Sequence, residues 1–390
     1  MRFFCLLLAF FVAGCDTPME RVDGSLSAWL DARIPGWLQQ LEIPGAAVAV
    51  MEDSEITLLE GYGFANTKDR VNMTADHLFN VASISKAVTA LGVMRLVERG
   101  DVDPDQPVNL YLNRWQLPDG AGTADEVTVR RLLSHAAGIS MPSTPGFRWP
   151  MDMPNLTSVL SGDYEDSTYA RSGTKTEIAY RPGDAFHYSG GGYLILQLLV
   201  EDVTELSFQE YMQEAVLAPL GMKDSQYGWD RQLNERMATP YLASGNVEDI
   251  FRLPGLAASS LHASARDLAK WMLAAARINV ELRNRVIAEA SFESMLMPAA
   301  NVPDGEGDFE SMGLGYFLQR SGETVVAGHA GGNAGWRAKF LVAPAEGDGI
   351  LDLTNSDDGD ELIELLSCAW AQTQKALDRF GECQVGAGGN

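Results

Sequence analysis

The chain has 390 residues, which is long enough for a large buried core and, at about 150 residues per domain, for two or three units. Its formal net charge is −24, so a nucleic-acid partner is not expected, because nucleic-acid-binding proteins carry positive surfaces. The acidic residues are spread along the chain, which indicates a solubilising surface rather than an acidic tail.

Residues 1–14 are predicted to form a signal peptide. An apolar run over 3–12 is too short to span a bilayer as a permanent helix. It ends in Val-Ala-Gly-Cys, which resembles the bacterial lipoprotein cleavage box, so Cys15 would be acylated and 15–24 would form a tether. In the alternative, an ordinary secretory signal, Cys15 is incidental. The next residue, Asp16, resembles an inner-membrane retention signal. We therefore expect a lipid-anchored protein on the periplasmic face of a bacterial inner membrane.

An exported protein enters an oxidising compartment, where disulfides persist. Cys5 would leave with the signal peptide and Cys15 would carry the lipid. Cys368 and Cys383 remain, and they could pair and attach the C-terminal tail, residues 381–390, to the last helix. Two free thiols are the equally open alternative.

Apolar periodicity and turn residues predict the elements of the fold. In chain order these are a helix over 26–41 interrupted near Pro35, a hairpin of 45–50 and 56–59, a turn at 61–63, a mostly helical stretch to about 249, a helix over 265–276, strands over 313–318, 324–327, 338–342 and 350–353, and a helix over 361–377.

Strands at both chain ends with helices between them predict an α/β (α+β) fold. We expect an antiparallel sheet built from both chain ends, flanked by helices, with an all-helical insertion subdomain. The expected single domain covers 25–380, with the sheet part in 25–85 and 255–380 and the helical part in 86–254. Within the insertion, 142–176 is rich in Pro, Gly, Ser and Thr, which is typical of a binding loop or lid.

A Ser-x-x-Lys pattern begins the apolar helix that follows residue 83. Ser83 and Lys86 are three residues apart, so they share a helix face and the amine can lie beside the hydroxyl. A desolvated lysine near a helix N-terminus can lose its proton near neutral pH and then act as a base. The pattern therefore predicts a serine nucleophile that needs no histidine.

The pattern alone is weak, because roughly one or two matches are expected by chance at average composition. A second copy, Ser172 to Lys175, lies in a polar stretch without apolar periodicity and is interpreted as a loop. For the first copy the alternative is structural, with Ser83 as a helix N-cap and Lys86 as a solvated residue of the first turn. A lysine there opposes the helix dipole, which counts mildly against that alternative.

Two glycine-rich segments strengthen the functional interpretation. In 182–193, Tyr188 lies on a polar turn and is followed by three glycines and an apolar helix. The segment 328–336 contains His329, Gly331 and Gly332 and is predicted to lie between strands. Glycines at such places let backbone N–H groups approach a ligand closely.

Together with Ser83 and Lys86, these segments resemble the serine β-lactamase and penicillin-binding-protein superfamily, and its class C-like branch most. That branch also holds many esterases and D-amino-acid peptidases. The segment 132–139, Leu-Leu-Ser-His-Ala-Ala-Gly-Ile, is similar to a recurring family segment. The resemblance covers nearly the whole mature chain and implies a β-lactamase/transpeptidase-like fold.

The resemblance also implies roles for individual residues. Ser83 would be the nucleophile, Lys86 would accept or relay its proton, and Tyr188 would pass a proton to the leaving group. The backbone N–H groups of Ser83 and Gly332 would form the oxyanion hole. His329, Gly331 and Gly190 would line the substrate-binding site.

The chain departs from the family pattern at two of these positions. Gly190 replaces the asparagine of Tyr-x-Asn, so an amide that helps to hold the substrate is missing. His329 begins a His-Ala-Gly where many β-lactamases have Lys-Thr-Gly, and a neutral histidine is a poorer partner for a carboxylate. Both changes weigh against an efficient β-lactamase and favour an esterase or a peptidase with a different acyl partner.

Other enzyme classes are disfavoured. Gly-x-Ser-x-Gly does not occur, and the five histidines lack zinc-ligand spacing, so we expect neither an α/β-hydrolase nor a metal site, and no cofactor. The expected activity is hydrolysis of a carboxylic ester or a D-amino-acid-type amide through an acyl-serine. A β-lactamase or DD-peptidase is the first alternative, and a non-catalytic envelope-binding or sensor protein is the second. The expected partner is a small-molecule ester or a peptidoglycan-like or D-amino-acid substrate. The identity of the natural substrate and the oligomeric state stay open.

Overall fold

The computed structural model describes residues 21–165, 174–249, 251–276, 279–303, 309–321 and 324–374. The helices are α1 (Leu26–Gln40), α2 (Ile84–Glu98), α3 (Val129–Leu133), α4 (Leu156–Ser161), α5 (Gly190–Thr204), α6 (Phe208–Met212), α7 (Leu256–Ser259), α8 (Ala265–Ala275), α9 (Val280–Arg283), α10 (Glu289–Met295) and α11 (Gly359–Thr373).

The strands are β1 (Gly45–Glu52), β2 (Glu55–Asn66), β3 (Val71–Asn72), β4 (Leu78–Asn80), β5 (Phe147–Arg148), β6 (Gln226–Tyr227), β7 (Phe251–Arg252), β8 (Leu261–Ser264), β9 (Ala300–Asn301), β10 (Ser311–Met312), β11 (Phe317–Ser321), β12 (Thr324–Asn333), β13 (Trp336–Ala343) and β14 (Asp348–Thr354).

In the described part of the chain, nine strands form one antiparallel sheet in the order β3-β2-β1-β14-β13-β12-β11-β10-β9. The N-terminal hairpin joins the C-terminal strands through β1 and β14, where Ala46 lies opposite Thr354 and Val50 opposite Ile350. The predicted α/β fold, with a sheet built from both chain ends, is confirmed.

Helices cover both faces of this sheet. On one face, Leu30 of α1 and Trp370 of α11 pack with Val48 of β1 in a cluster of buried apolar side chains. On the other face, α2 and α8 pack in the larger core, which continues into the helical part of the chain. Burial of one such side chain contributes about 1.5–3 kcal/mol, so the two clusters hold the sheet between its layers.

Helix α2 is the central helix of the larger core. Twelve of its fifteen residues are buried, because its sequence is apolar on almost every side. A backbone bond of 3.0 Å from the N–H of Val81 to the carbonyl of Leu261 fixes the segment that enters the helix. The first turn of α2 is therefore held at the junction of the sheet and the helical part.

The predicted interruption of the first helix is wrong, because α1 continues through Pro35 to Gln40. A proline inside a helix costs about 3 kcal/mol. Ile34 and Leu38 on either side of Pro35 are buried against the sheet, and this packing outweighs the cost.

The predicted turn at 61–63 is also wrong, because those residues lie within β2. A Cβ atom at Gly61 would lie 2.4 Å from the Cα of Thr74, so the glycine permits a close backbone approach rather than a reversal of the chain. Likewise β12 does not end at Ala327 but continues to Asn333, so the segment 328–336 is a strand end and hairpin turn.

The insertion is mostly helix and loop, although β5 pairs with β7, and β6 joins β4 and β8 in a small sheet. The described part of the predicted binding loop, 142–165 and 174–176, contains β5 and α4. No described helix has the length and apolar character needed to cross a membrane. The signal peptide with Cys15, Cys383 and the tail over 381–390 lie outside the described residues, so the predictions about them stay predictions.

Candidate active site

Ser83 lies on a strained turn between β4 and α2. The preceding residue, Ala82, adopts φ 46°, which is uncommon for a residue with a side chain. Ser85 holds the turn, since its hydroxyl donates to the carbonyl of Ala82 at 2.5 Å and accepts from the N–H of Leu261 at 2.9 Å. The hydroxyl of Ser83 does not cap α2, so it is available for another partner.

That partner is Lys86. Its Nζ lies 3.0 Å from the Oγ of Ser83 and donates to the carbonyl of Ala258 at 2.8 Å. The side chain is only 2% exposed, and among the described residues no carboxylate pairs with it, so burial lowers the pKa of Lys86 to about 7. A large fraction of the amine is therefore neutral at neutral pH.

Tyr188 completes the group of side chains around Ser83. Its side chain lies close to Ser83, and the Nζ of Lys86 lies 4.9 Å from the centre of its ring. Burial raises the pKa of Tyr188 above its usual value of 10, and the nearby hydroxyl of Ser83 only partly offsets this. The phenol is thus protonated across the pH range in which Lys86 titrates.

The chain around Tyr188 is fixed by the start of α5. The side chain of Ser189 accepts from the N–H of Gly192 at 3.0 Å and donates to the carbonyl of Ser140 at 2.7 Å. The N–H of Ser189 donates to Nδ1 of His135 at 3.1 Å, and the His135 ring lies 4.3 Å from that of Tyr188. His135 therefore supports the turn that carries the tyrosine.

The end of β12 lies directly against the Ser83 turn. A Cβ atom at Gly331 would lie 2.4 Å from the carbonyl oxygen of Val81 and 2.9 Å from the nitrogen of Ser83. Only a glycine permits this approach, so Gly331 provides backbone packing rather than substrate contact. The next residue, Gly332, is exposed, and a Cβ atom there would meet nothing closer than 3.6 Å.

Gly190 lies where the family pattern has asparagine. A Cβ atom at this position would lie 3.2 Å from both the carbonyl oxygen of Pro142 and the Cγ2 of Thr144. An amide side chain would have to displace these atoms. The structure thus gives a physical reason for the departure noted in the sequence, because Thr144 occupies part of the space.

His329 was predicted to line the substrate-binding site, but its ring is only 2% exposed. Its Nδ1 lies 2.6 Å from the carbonyl oxygen of Ala330, to which it donates, and its ring packs 5.1 Å from that of Phe317 and 6.2 Å from that of Tyr188. Burial, together with the charge of Lys86, lowers the pKa of His329 to about 3. His329 is therefore a neutral member of the aromatic packing around Tyr188.

A cavity of about 530 Å³ opens at this group of residues. Ser83, Lys86, Gly190 and Gly332 lie on its wall. The wall also contains Thr144, Ser259, Asn333, Arg337 and Asp357. In the described part of the wall, Lys86 and Arg337 are the cationic side chains, and Arg337 already pairs with Asp357 at 3.0 Å and with Asp360 at 2.9 Å.

The comparison with protein families accounts for this arrangement. The family model described as Beta-lactamase matches residues 30–366. The chain belongs to the Beta-lactamase family. The match covers every described residue that surrounds Ser83, and the predicted family resemblance is confirmed.

Curated relatives of this Beta-lactamase-family chain are distant. Protein flp from Staphylococcus aureus strain COL is 23% identical over 344 residues, which cover 87% of this chain and 65% of that protein. Esterase EstB from Burkholderia gladioli is 29% identical over 218 residues, 56% of this chain and 55% of the esterase. The chain thus spans less than two thirds of the length of these relatives.

Solved structures share the fold. The octameric penicillin-binding protein homologue from Pyrococcus abyssi has a TM-score of 0.70 at 22% identity, covering 90% of this chain and 78% of that one. The D-amino acid amidase from Ochrobactrum anthropi SV3, complexed with D-phenylalanine, has a TM-score of 0.67 at 23% identity, covering 87% and 98%. At these identities the similarity shows the fold, and family membership supports a serine hydrolase in general.

Sequence reasoning did not identify several residues of the cavity. Thr144 lies in the loop that we predicted to be a binding loop, but no pattern distinguished it from its neighbours. Arg337 and Asp357 lie on different elements and meet only in the folded chain. Among the described residues, no group of histidine, cysteine, aspartate and glutamate is arranged to hold a metal ion.

Proposed function

We propose that this chain is a serine hydrolase that acts through an acyl-serine intermediate on a carboxylic ester or a D-amino-acid-type amide. The observation that carries the proposal is the 3.0 Å contact between the buried amine of Lys86 and the hydroxyl of Ser83. A structural N-cap serine would bond to its own helix, and Ser83 does not.

In the acylation step, the Oγ of Ser83 attacks the carbonyl carbon of the substrate and its proton passes to the neutral Nζ of Lys86. Because the pKa of Lys86 is about 7, the base is available at neutral pH without a large cost for deprotonation. The ammonium that forms donates to the carbonyl of Ala258, which lies 2.8 Å away and stabilises it.

The substrate oxygen becomes negative as the new bond forms, and backbone N–H groups would stabilise it. The N–H of Ser83 is one candidate donor, at the start of α2. The strand register supports the N–H of Gly332 as a second donor. Asn333 lies opposite Trp336 across a two-residue turn, and this pair is hydrogen-bonded between the strands. Because hydrogen-bonded and non-hydrogen-bonded pairs alternate along an antiparallel ladder, the next pair, Gly332 and Arg337, is not hydrogen-bonded, and the N–H of Gly332 points away from β13.

The leaving group needs a proton when the tetrahedral intermediate collapses. Tyr188 lies close to Ser83, and its raised pKa keeps it a neutral donor, so it would protonate the leaving oxygen or nitrogen and recover the proton from Lys86. In the second step, water attacks the acyl-serine and gives its proton to the amine. The bond to Oγ breaks, the acid leaves, and Ser83 regains its hydrogen.

The cavity favours esters and D-amino-acid amides over β-lactams. A β-lactam carries a carboxylate, and the position that is lysine in many β-lactamases is the buried, neutral His329 here. Arg337 already forms ion pairs with Asp357 and Asp360. The names of two similar proteins, an esterase and a D-amino acid amidase, support the same substrate classes. A β-lactamase or DD-peptidase remains the first alternative.

The proposal is tested with a fluorophosphonate probe on the purified mature protein. We expect covalent labelling of the wild type and none of Ser83→Ala. A turnover screen with short-chain aryl esters, D-amino-acid amides, D-alanyl peptides and a chromogenic cephalosporin then separates the substrate classes. Rapid cephalosporin turnover with no ester or amide hydrolysis would favour the β-lactamase alternative.

The second alternative is a non-catalytic binding or sensor protein with the same cavity. Ser83, Lys86 and Tyr188 together argue against it, because a binder has no need for a desolvated amine beside a hydroxyl. If the intact wild type reacts with neither the fluorophosphonate nor a fluorescent penicillin, the binding protein becomes the better interpretation.

We also propose that the protein is lipid-anchored through Cys15 on the periplasmic side of a bacterial inner membrane. The support is the Val-Ala-Gly-Cys box after a short apolar run and the aspartate at 16. Cell fractionation tests this proposal. The wild type should pellet with inner membranes, and Cys15→Ser should not be acylated. Recovery of unmodified wild type in the soluble periplasmic fraction would contradict the anchor.

A further inference from the structure

We propose that Asn80 is a positioning residue that sets the distance between the two backbone donors of the oxyanion hole. This inference rests on the proposed function, because an oxyanion hole matters only if Ser83 is acylated. The observation behind it is that the side-chain oxygen of Asn80 accepts hydrogen bonds from Ala82 and Asn333, which are the residues next to the two donors, Ser83 and Gly332.

Asn80 is the last residue of β4 and is only 6% exposed. Its Oδ1 accepts from the N–H of Ala82 at 2.9 Å and from the side-chain amide of Asn333 at 2.7 Å. Ala82 directly precedes Ser83, and Asn333 directly follows Gly332. A single acceptor therefore joins the two chain segments that carry the oxyanion donors.

A second bond strengthens the same link. The amide nitrogen of Asn333 also donates to the carbonyl of Ser259, 3.2 Å away, at the end of α7. This helix includes Ala258, whose carbonyl accepts from Lys86. Asn333 thus ties the β12 hairpin both to the Ser83 turn and to the helix that holds the base.

The orientation of the Asn80 amide is fixed from the other side by His262. The Nδ1 of His262 lies 3.2 Å from the carbonyl oxygen of Ser260, to which it donates, so its Nε2 is left as an acceptor. The Nδ2 of Asn80 lies 3.3 Å from that Nε2 and donates to it. Burial lowers the pKa of His262 to about 4, so this neutral form persists at neutral pH. The Oδ1 of Asn80 must then face Ala82 and Asn333.

The chemical consequence concerns transition-state stabilisation. Loss of one oxyanion donor slows an enzyme about 10²–10³-fold, and a donor that is only displaced retains part of its effect. Without the Asn80 bridge, β12 would still be held to β13 and, through Asn333, to Ser259, but its direct bond to the Ser83 turn would be lost. Acylation should slow while ground-state binding of the substrate changes little.

The test compares Asn80→Ala, Asn333→Ala and the double variant with the wild type. We measure the acylation rate with p-nitrophenyl acetate, KM for the same ester, and the affinity for phenylboronic acid, which forms a tetrahedral adduct on the serine and mimics the transition state. Asn109→Ala is the matched control, because Asn109 bonds Leu117 in both directions without lining the cavity.

We expect Asn80→Ala to slow acylation by about 10–100-fold and to weaken the binding of phenylboronic acid by a similar factor. Its KM should stay within about threefold of the wild-type value. Asn333→Ala removes the bond to Asn80 and also the bond to Ser259, so it should slow acylation by about 10–100-fold as well. The double variant should be no more than about threefold slower than the slower single variant, because both substitutions break the same bridge. Asn109→Ala should lower the melting temperature without changing the acylation rate. If Asn80→Ala does not fold, Asn333→Ala provides the test, because Asn333 is only half-buried and its replacement should disturb folding less.

Two results would overturn the inference. One is acylation within about twofold of wild type in both folded single variants, and the other is slower acylation with unchanged phenylboronic acid affinity. In either case Ser83-dependent labelling of the wild type would leave the proposed function standing. A wild type that is not acylated at all would overturn the proposed function and, with it, the role of Asn80.

Discussion

The chain contains the pattern Ser-x-x-Lys twice, and the lysines of the two copies have opposite environments. Lys86 is 2% exposed and contacts a hydroxyl and a carbonyl. Lys175 has a side chain that is 54% exposed and forms an ion pair of 3.0 Å with Glu177. Ser172 lies outside the described residues. The environment of the lysine, rather than its spacing from a serine, therefore makes it a base.

The size of the pKa shift caused by burial is what allows Lys86 to act as a base at neutral pH. Burial lowers the pKa of Lys86 from 10.5 to about 7, which corresponds to roughly 5 kcal/mol of lost preference for the charged form. Lys175, in contrast, keeps its contact with water and pairs with Glu177. Packing of α2 in the larger core supplies the desolvation that the mechanism uses.

Removal of the base should have the largest effect. We expect Lys86→Met to slow acylation by about 10³-fold or more, because Ser83 then loses its proton acceptor. The matched control is Lys175→Met, which should leave the rate unchanged. Stopped-flow measurement of p-nitrophenol release reports both rates. Near wild-type acylation by folded Lys86→Met, or an equal loss in both variants, would show that burial does not distinguish the two copies.

The next effect should come from the phenol. We expect Tyr188→Phe to slow acylation by about 10²-fold, because the ring is retained while the proton donor is lost. The loss should be larger for an amide than for an activated aryl ester, since the aryl ester has a leaving group that needs no proton. Equal losses for the two substrates would argue that Tyr188 only positions Ser83.

Two adjacent glycines at the end of β12 have opposite backbone environments. Gly331→Ala places a Cβ atom 2.4 Å from the carbonyl oxygen of Val81, so we expect it to lower stability and to slow acylation by at least about tenfold. Gly332→Ala meets only ordinary contacts and keeps its N–H, so acylation should stay within about threefold of wild type. Thermal unfolding and acylation rates check both, and a reversed order would contradict the placement of β12.

The pH dependence should follow Lys86. Below pH 7 the amine is protonated and cannot accept a proton, so kcat/KM should fall about tenfold for each pH unit. Above pH 7 the rate should reach a plateau, because burial keeps the pKa of Tyr188 above 10. The pKa of His329 is about 3 and that of His135 is well below 6.5, so neither gives this limb. A flat profile from pH 5 to 8 would contradict the assignment.

Much of the fold could be predicted from the sequence because its signals are local. Short apolar runs identified β1 and β14, and apolar periodicity identified α2 and α5. The errors arose where contacts between distant parts of the chain, rather than the local sequence, determine the secondary structure. Pro35 is accepted inside α1 because its neighbours are buried, and Gly61 permits the approach of Thr74 to β2.

The candidate site could be predicted only where its residues belong to motifs. Ser83, Lys86 and Tyr188 were identified by their patterns, and the structure brings them together. No pattern indicates that Asn80 bonds to Asn333, because 253 residues separate them and the bond depends on the register of β12. The burial of His329 depends on the aromatic cluster and was likewise not predictable.

Direct titration of the Lys86 amine tests the central claim most directly. With ¹³Cε-labelled lysine, the resonance missing from the Lys86→Met spectrum identifies the residue, and its chemical shift is followed from pH 5 to 11. We expect a midpoint near pH 7 in the folded wild type. A midpoint near the ordinary lysine value of 10.5 would mean that the amine is charged at neutral pH, and it would contradict its role as the base for Ser83.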